Sequence, residues 1–165
     1  MKTTGVGGKE RGYDPGKKVK GRKRRLLVDT EGLVMKAKIH SANVFDRDGI
    51  KPLMALVGER FPRLSHLWLD AGYNGKGRDW AEKVLGLSVE VVRLPRRWVW
   101  VLADKEPPPR PAFTDLPRRW VVERTFSRVG QNHRMSKDYE HLPKSSEAFV
   151  YVAMTMLMVR RLARS

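Results

Sequence analysis

The sequence contains no cysteine. That excludes a disulfide framework, a thiol nucleophile and any cysteine-based zinc site. Histidine is scarce, and His40, His66, His133 and His141 are scattered without the close spacing of zinc ligands. Long hydrophobic runs are missing too. The longest, residues 148–159, is well short of the ~20 residues that span a bilayer, and no charged segment leading into an apolar one marks a secretory signal. No Gly-x-Ser-x-Gly elbow occurs, and Gly5, Gly7 and Gly8 lead into no Gly-Lys-Ser/Thr. A serine hydrolase and a P-loop nucleotide site are therefore unsupported. Negative charge is the last deficit: 18 Asp+Glu face 34 Lys+Arg, for a formal net charge of +16.

What remains is a chain of 165 residues, 41% hydrophobic. This suits one domain with its own core rather than a disordered chain. The charge points to a soluble intracellular protein with a polyanionic partner, nucleic acid first among them. Its distribution sharpens the point. Residues 1–30 carry ten basic and three acidic side chains, and residues 93–137 carry eleven and four. The intervening and final segments are close to neutral. Two basic blocks around a neutral, core-forming middle suggest a binding surface. Contacts of this kind grip phosphates without reading sequence.

Residues 1–23, rich in Gly and Lys, show no hydrophobic period and read as a basic irregular arm. Residues 25–30 and 33–40 are β-rich runs separated by Glu31-Gly32, which predicts a hairpin. Asp46 is placed to cap a helix running to about residue 60, with Ile50, Leu53, Met54 and Val57 apolar. A short strand at 66–69 ends at Asp70, and the loop Ala71-Gly72-Tyr73-Asn74-Gly75 opens a helix to about residue 85. A strand at 88–94 follows. The Pro-rich stretch, 103–116 at its widest, reads as a loop. Two helices close the chain, one from 118 to about 129 and one from 145 or 146 to about 163. The layout is α/β with one mixed sheet.

Leu94-Pro-Arg-Arg-Trp-Val99 recurs as Leu116-Pro-Arg-Arg-Trp-Val121. Val101 of the first copy corresponds to Glu123 of the second, so only the second offers a carboxylate. Glu123 has Arg119 one helical turn before it and Arg124 beside it. A helical ion pair with Arg119 is the plain structural reading, and a turn or cap role is the plain reading of Asp70. The alternative is that Asp70 and Glu123 share hard divalent cations. Chemistry at a phosphodiester needs its attacking and leaving oxygens stabilised, which carboxylate-held metal does.

The strings Leu69-Asp70-Ala71-Gly72-Tyr73 with Gly75, and Arg118-Arg119-Trp120-Val121-Val122-Glu123-Arg124-Thr125-Phe126, resemble the DDE transposases of bacterial insertion sequences. So do residues 12–24, Ala42-Asn43-Val44 with Asp46-Arg47-Asp48-Gly49, and Ser136-Lys137-Asp138-Tyr139-Glu140. The resemblance implies an RNase H-like mixed sheet flanked by helices and an active site using Mg²⁺ or Mn²⁺. It implies DNA transposition by strand cleavage and transfer at insertion-sequence ends. Terminal inverted repeats and target DNA would be the partners, in the bacterial cytoplasm near the nucleoid and not at a membrane.

On that match Asp70 is the second carboxylate of the triad and Glu123 the third, both catalytic and both metal ligands. Arg119 matches the family's arginine one turn before the glutamate. Gly130 stands where a later lysine or arginine is common, so Arg128, Arg134 or Lys137 would substitute. The first aspartate has no counterpart. Asp29 reads as the hairpin turn, and the expectation is a partial catalytic domain over 24–165 that lacks its first strand. An upstream-frame transposase part or an oligomeric partner would then supply the missing ligand. Lys17, Lys18, Lys20, Arg22, Lys23 and Arg24 of the first block, with Arg118, Arg119, Arg124, Arg128 and Lys137 of the second, are the expected DNA contacts. The competing function is an inactive remnant that only binds DNA nonspecifically; a small RNA- or ribosome-associated protein fits the strings poorly. Tyr13, Trp98 and Trp100 are candidates for base stacking. Trp80 and Trp120 read as helix-face packing residues, and the final helix as a buried packing helix.

Overall fold

The computed structural model describes residues 9–93 and 117–164. Three antiparallel strands come first: β1 (Gly12–Asp14), β2 (Val19–Val28) and β3 (Val34–Ser41), in the order β1-β2-β3. Helix α1 (Asp46–Met54) and the single turn α2 (Val57–Arg60) follow. Strand β4 (His66–Asp70), a 3-10 turn (Ala71–Tyr73), helix α3 (Lys76–Leu85) and strand β5 (Ser88–Val92) form a parallel β4–β5 pair. Helices α4 (Pro117–Gly130) and α5 (Pro143–Leu162) complete the order. The result is a mixed α/β architecture with antiparallel and parallel sheets flanked by helices, compatible with an RNase H-like fold. Among the described residues no helix is long and apolar enough to cross a membrane.

The hairpin forms where the alternation and turn chemistry place it. Asp29 Oδ1 accepts from the backbone N–H of Glu31 at 2.9 Å and of Leu33 at 2.8 Å, the local bonding that makes Asp a turn former. Gly32 has φ +82°, and a Cβ there would press on Thr125 Oγ1 at 2.7 Å. Thr125, fully buried in α4, donates to Gly32 O at 2.9 Å. The turn is thereby fastened to the helix that carries Glu123.

Strand β2 departs from the sequence expectation. The segment read as an irregular arm to residue 23 contains β1 and the first half of β2, paired through Tyr13 and Lys20. Hydropathy does not reveal this because the strand buries arginines instead of aliphatic residues. Arg22 is wholly buried. It donates to Lys9 O, Glu140 O and His141 O and pairs with buried Asp138 at 3.4 Å. Ser146 Oγ donates to the same carboxylate. Arg24 donates to Met135 O at 2.9 Å and Lys137 O at 3.0 Å. Buried cations are tolerated only with such partners.

Because side chains alternate along a strand, the two faces of the antiparallel sheet divide the core. Leu27 packs with Ile50, Leu53, Met54 and Val57 and with Leu67, Leu69, Ala81 and Val89 of the second sheet. Ala37 and Ile39 pack on the other face with Val129, Met135, Val150, Ala153 and Met154. Each fully buried aliphatic side chain contributes roughly 1.5–3 kcal/mol. The outer edge of β3 is closed by α5: Tyr151 Oη accepts from Ala37 N–H and Glu147 Oε1 from Ile39 N–H, both at 2.9 Å. Those odd-numbered residues face outward, so the even-numbered residues of β3 pair with Lys23, Arg25 and Leu27. The backbone groups of Arg24, Leu26 and Val28 therefore point away from β3, toward the side where no described strand pairs with them.

Four other expectations change. Among the described residues the strands form two hydrogen-bonded sheets instead of one mixed sheet, with β2 and β4 unpaired to each other. The helix expected from 46 to 60 breaks at Leu56, whose φ of +60° interrupts the helical run four residues after Pro52. Asp46 does not cap α1; Phe45 is the cap residue, and Asp46 pairs with Arg25 at 2.9 Å instead. Helix α5 buries only one face, since Tyr151, Val152, Met156 and Val159 are exposed. The first copy of the repeat, Trp98, Trp100 and the Pro-rich loop lie outside the described residues.

Arg22→Ala is expected to lower the unfolding free energy by about 3–5 kcal/mol, because it strands Asp138 and three carbonyl groups. Lys17→Ala, on the exposed turn after β1, should stay within about 0.5 kcal/mol. Urea unfolding of the two variants checks both values.

Candidate functional site

Between the two sheets lies a cavity of about 1040 Å³. Residues of β2, β4, α1 and α4 line it, and they include Leu26, Val28, Leu67, Ile50 and Val122. Asp70 and Glu123, far apart in sequence, both line this cavity. Asp70 is exposed at the C-terminal end of β4, where carboxylates of α/β folds face open crevices. Its Oδ1 accepts from Ala71 N–H at 2.7 Å and caps the 3-10 turn. Glu123 is exposed on α4, and its Oε1 accepts from Arg119 Nε at 2.9 Å. Both plain structural readings, the cap and the helical ion pair, are thus realised in the same side chains that line the cavity.

The carboxylates are hard oxygen donors suited to a divalent cation. Among the described residues no third acidic or imidazole group joins them in a cluster able to hold a metal. Asp29, on the same cavity wall, is committed to the hairpin turn.

The turn after Asp70 is held by residues that spacing alone did not single out. Arg25 of β2 donates to Tyr73 Oη at 2.6 Å and sits 5.4 Å from the Tyr73 ring centroid. It also donates to Phe45 O at 3.1 Å and pairs with Asp46. Asp46 in turn lies against Gly72. One buried guanidinium thus ties β2, the start of α1 and the turn that carries Asp70. The signal was present in Asp70-Ala71-Gly72-Tyr73, but nothing in the sequence pairs Tyr73 with an arginine 48 residues away.

The expected DNA contacts separate into groups. Lys17, Lys18 and Lys20 are exposed around the β1–β2 turn, and Lys137 is exposed after α4. Lys23 is half-buried between Asp14 at 3.3 Å and Asp46 at 3.8 Å. Arg22 and Arg24 do not face DNA, because their guanidiniums are buried and bonded to backbone carbonyls. Arg118 is exposed at the cavity, stacked 4.4 Å from the Trp68 ring. Arg119 is taken by Glu123. Arg124 and Arg128 are half-buried further along α4. Of the candidate substitutes at the Gly130 position, Arg134 is bound to Glu140 at 2.7 Å. Tyr13 is exposed and Trp80 packs against the core, whereas Trp120 is exposed rather than packed.

The site also carries a pH dependence. Arg25 Nε donates to His40 Nε2 at 2.5 Å, so the ring proton sits on Nδ1 and is donated to Ser41 O at 2.8 Å. Burial, reinforced by the Arg25 and Lys23 cations, lowers the His40 pKa. The unfolded chain, with an ordinary histidine near ~6.5, then binds more protons below that pH, and stability falls as pH is lowered through ~6.5. His40→Gln is expected to flatten this acid limb. Unfolding curves at about pH 7.5 and 5.5, either side of the ordinary histidine value, measure it.

Comparison with known proteins follows from this geometry. No curated protein and no solved structure matches the chain. The family model described as "Transposase DDE domain" matches residues 1–158, nearly the whole chain. A strand-end aspartate and a helix glutamate on one cavity, in a mixed α/β fold, accord with that match, and the chain belongs to the DDE transposase family.

Proposed function

We propose that the cavity between β2 and β4 is the catalytic cleft of a metal-dependent enzyme that cuts and rejoins DNA strands at insertion-sequence ends. The observation that carries this reading is that Asp70 and Glu123 line one cavity from opposite elements, a strand end and a helix. Asp70 and Glu123 would hold Mg²⁺ or Mn²⁺, and the bound cation would supply charge stabilisation at the attacked phosphate. The rest falls to this chain's residues. Arg118, braced on Trp68, is free to orient a phosphate oxygen at the cavity. Arg119 aims the Glu123 carboxylate. Arg25, through Tyr73, fixes the turn that carries Asp70.

In this reading the third carboxylate arrives on an extended strand lying between β2 and β4. Three features support it: the outward backbone groups of Arg24, Leu26 and Val28, the edge of β4 that has no partner strand among the described residues, and apolar walls on both faces. Such a strand comes from a companion transposase segment, in this chain's own reading frame or another. The second reading, DNA binding without cleavage, is favoured by one observation: among the described residues no group of three or more acidic or imidazole side chains is placed to hold a metal.

Nicking of end-bearing duplex DNA with Mn²⁺ separates the two. Fusing a strand of about six residues, alternating Val and Thr with one Asp, through a flexible linker is expected to raise nicking. Asp70→Ala or Glu123→Ala in that fusion should lower it by roughly 10²-fold or more, the scale of losing one catalytic electrostatic group. DNA binding with no nicking in any form would favour the second reading.

A further inference from the structure

A second pocket, of about 240 Å³, lies between the C-terminal half of α4 and α5. Arg128, Gln131, Asn132, His133 and Arg160 supply its polar lining, and Ala153, Met156 and Leu157 its apolar wall. It shares no lining residue with the catalytic cavity. Arg128 stands five residues after Glu123, which on a helix is about 140° around the axis and ~7.5 Å along it. Helix α4 therefore separates the two sites.

The charge here is unbalanced. Arg124 and Arg128 lie one turn apart on α4, and Arg160 and Arg161 are in the last turn of α5. None of the four pairs with a carboxylate among the described residues, whereas Arg22, Arg25, Arg78, Arg119 and Arg134 all do. Arg124 Nε and Arg128 Nη1 are shielded from water and have no hydrogen-bond acceptor. Desolvation, then repulsion from Arg161 and Arg124, pushes the Arg128 pKa down. Arginine near a helix C-terminus ordinarily satisfies the last carbonyls, but neither Arg128 nor Arg160 donates to one here. Guanidinium donors held together without acceptors are arranged for an anion with several oxygens. The pocket is smaller than the ~300–1,000 Å³ of drug-sized ligand sites, which suits a phosphate group rather than a whole nucleotide.

We infer that this pocket binds a backbone phosphate of the DNA, away from the phosphate that reacts, with Arg128 and Arg160 as its forks. This deepens the proposed function and rests on DNA being the substrate. Across one helix diameter of ~10–12 Å, a duplex engaged at Glu123 reaches the pocket with a phosphate several nucleotides from the reacting one. The pocket thus adds a second anchoring point and sets the angle at which DNA leaves the cleft.

Two titrations of the full chain test it, with the side-chain N–H signals of the arginines as the readout. Inorganic phosphate should shift the Arg128 signal, and Arg128→Gln with Arg160→Gln should abolish the effect seen on the remaining arginines. With duplex DNA, the same double variant should reduce the slope of log K against log salt by about 0.9, the loss of one phosphate contact. Arg128→Lys should retain most of the slope, because it keeps the charge. Unfolding curves superimposable on those of the parent chain establish that the variants fold. Normal DNA binding with an unchanged slope in the double variant overturns the inference and leaves the catalytic reading standing. A phosphate shift without DNA binding by the parent chain overturns the DNA assignment and the proposed function together. No phosphate shift at Arg128 overturns the pocket itself.

Discussion

The arrangement hangs on the burial of three arginines in one strand. Arg22 and Arg24 leave β2 on the side of α4 and α5, and Arg25 leaves it on the side of α1. A strand of aliphatic residues would pack on both layers without orienting either. These guanidiniums orient both, because each ends on named carbonyl oxygens that fit only in one arrangement. Burying a cation is costly, and the carbonyl acceptors are what make the burial tolerable, although Arg24 Nε is left without one. The loop around Asp138, the start of α1 and the turn after Asp70 are all positioned by this one strand. Position at the cavity is thus inherited from β2.

The sequence made much of this legible, for identifiable reasons. The hairpin at Asp29-Thr30-Glu31-Gly32 is written in turn chemistry. Strand β4 ending at Asp70, and helices α3, α4 and α5, follow from hydrophobic period and punctuation and land within a few residues. Asp70 and Glu123 were singled out by their specific flanking strings, and both line the cavity. The remainder was hidden by physics that a one-dimensional pattern does not carry. The first half of β2 looks like a basic tail, since a buried arginine and a solvated one are the same letter. Asp46 looks like a cap because Asp often is one, but a cation across the sheet outcompetes the local role. Trp120 sits at a position that packs in many helices and is exposed here, and its neighbour Arg118 finds Trp68 instead.

The two carboxylates illustrate how one side chain serves two ends. Glu123 makes the i,i+4 pair that any helix would welcome, and Asp70 makes the cap that any strand end would welcome. Neither interaction is strong; exposed helical pairs contribute only tenths of a kcal/mol. Their use is geometric. They hold the oxygens at the cavity wall at little cost, so either contact can be surrendered when something binds more tightly.

The closing of the β3 edge by Tyr151 and Glu147 has a consequence for assembly. Exposed strand edges recruit copies of themselves and grow into fibres. Here the antiparallel sheet is terminated on one flank by side chains that already occupy its N–H groups. Among the described residues, the part of β2 beyond its pairing with β1 keeps backbone groups free on the side opposite β3. Templated growth along the β3 flank is blocked at Ala37 and Ile39, where α5 already holds the N–H groups a further strand would need.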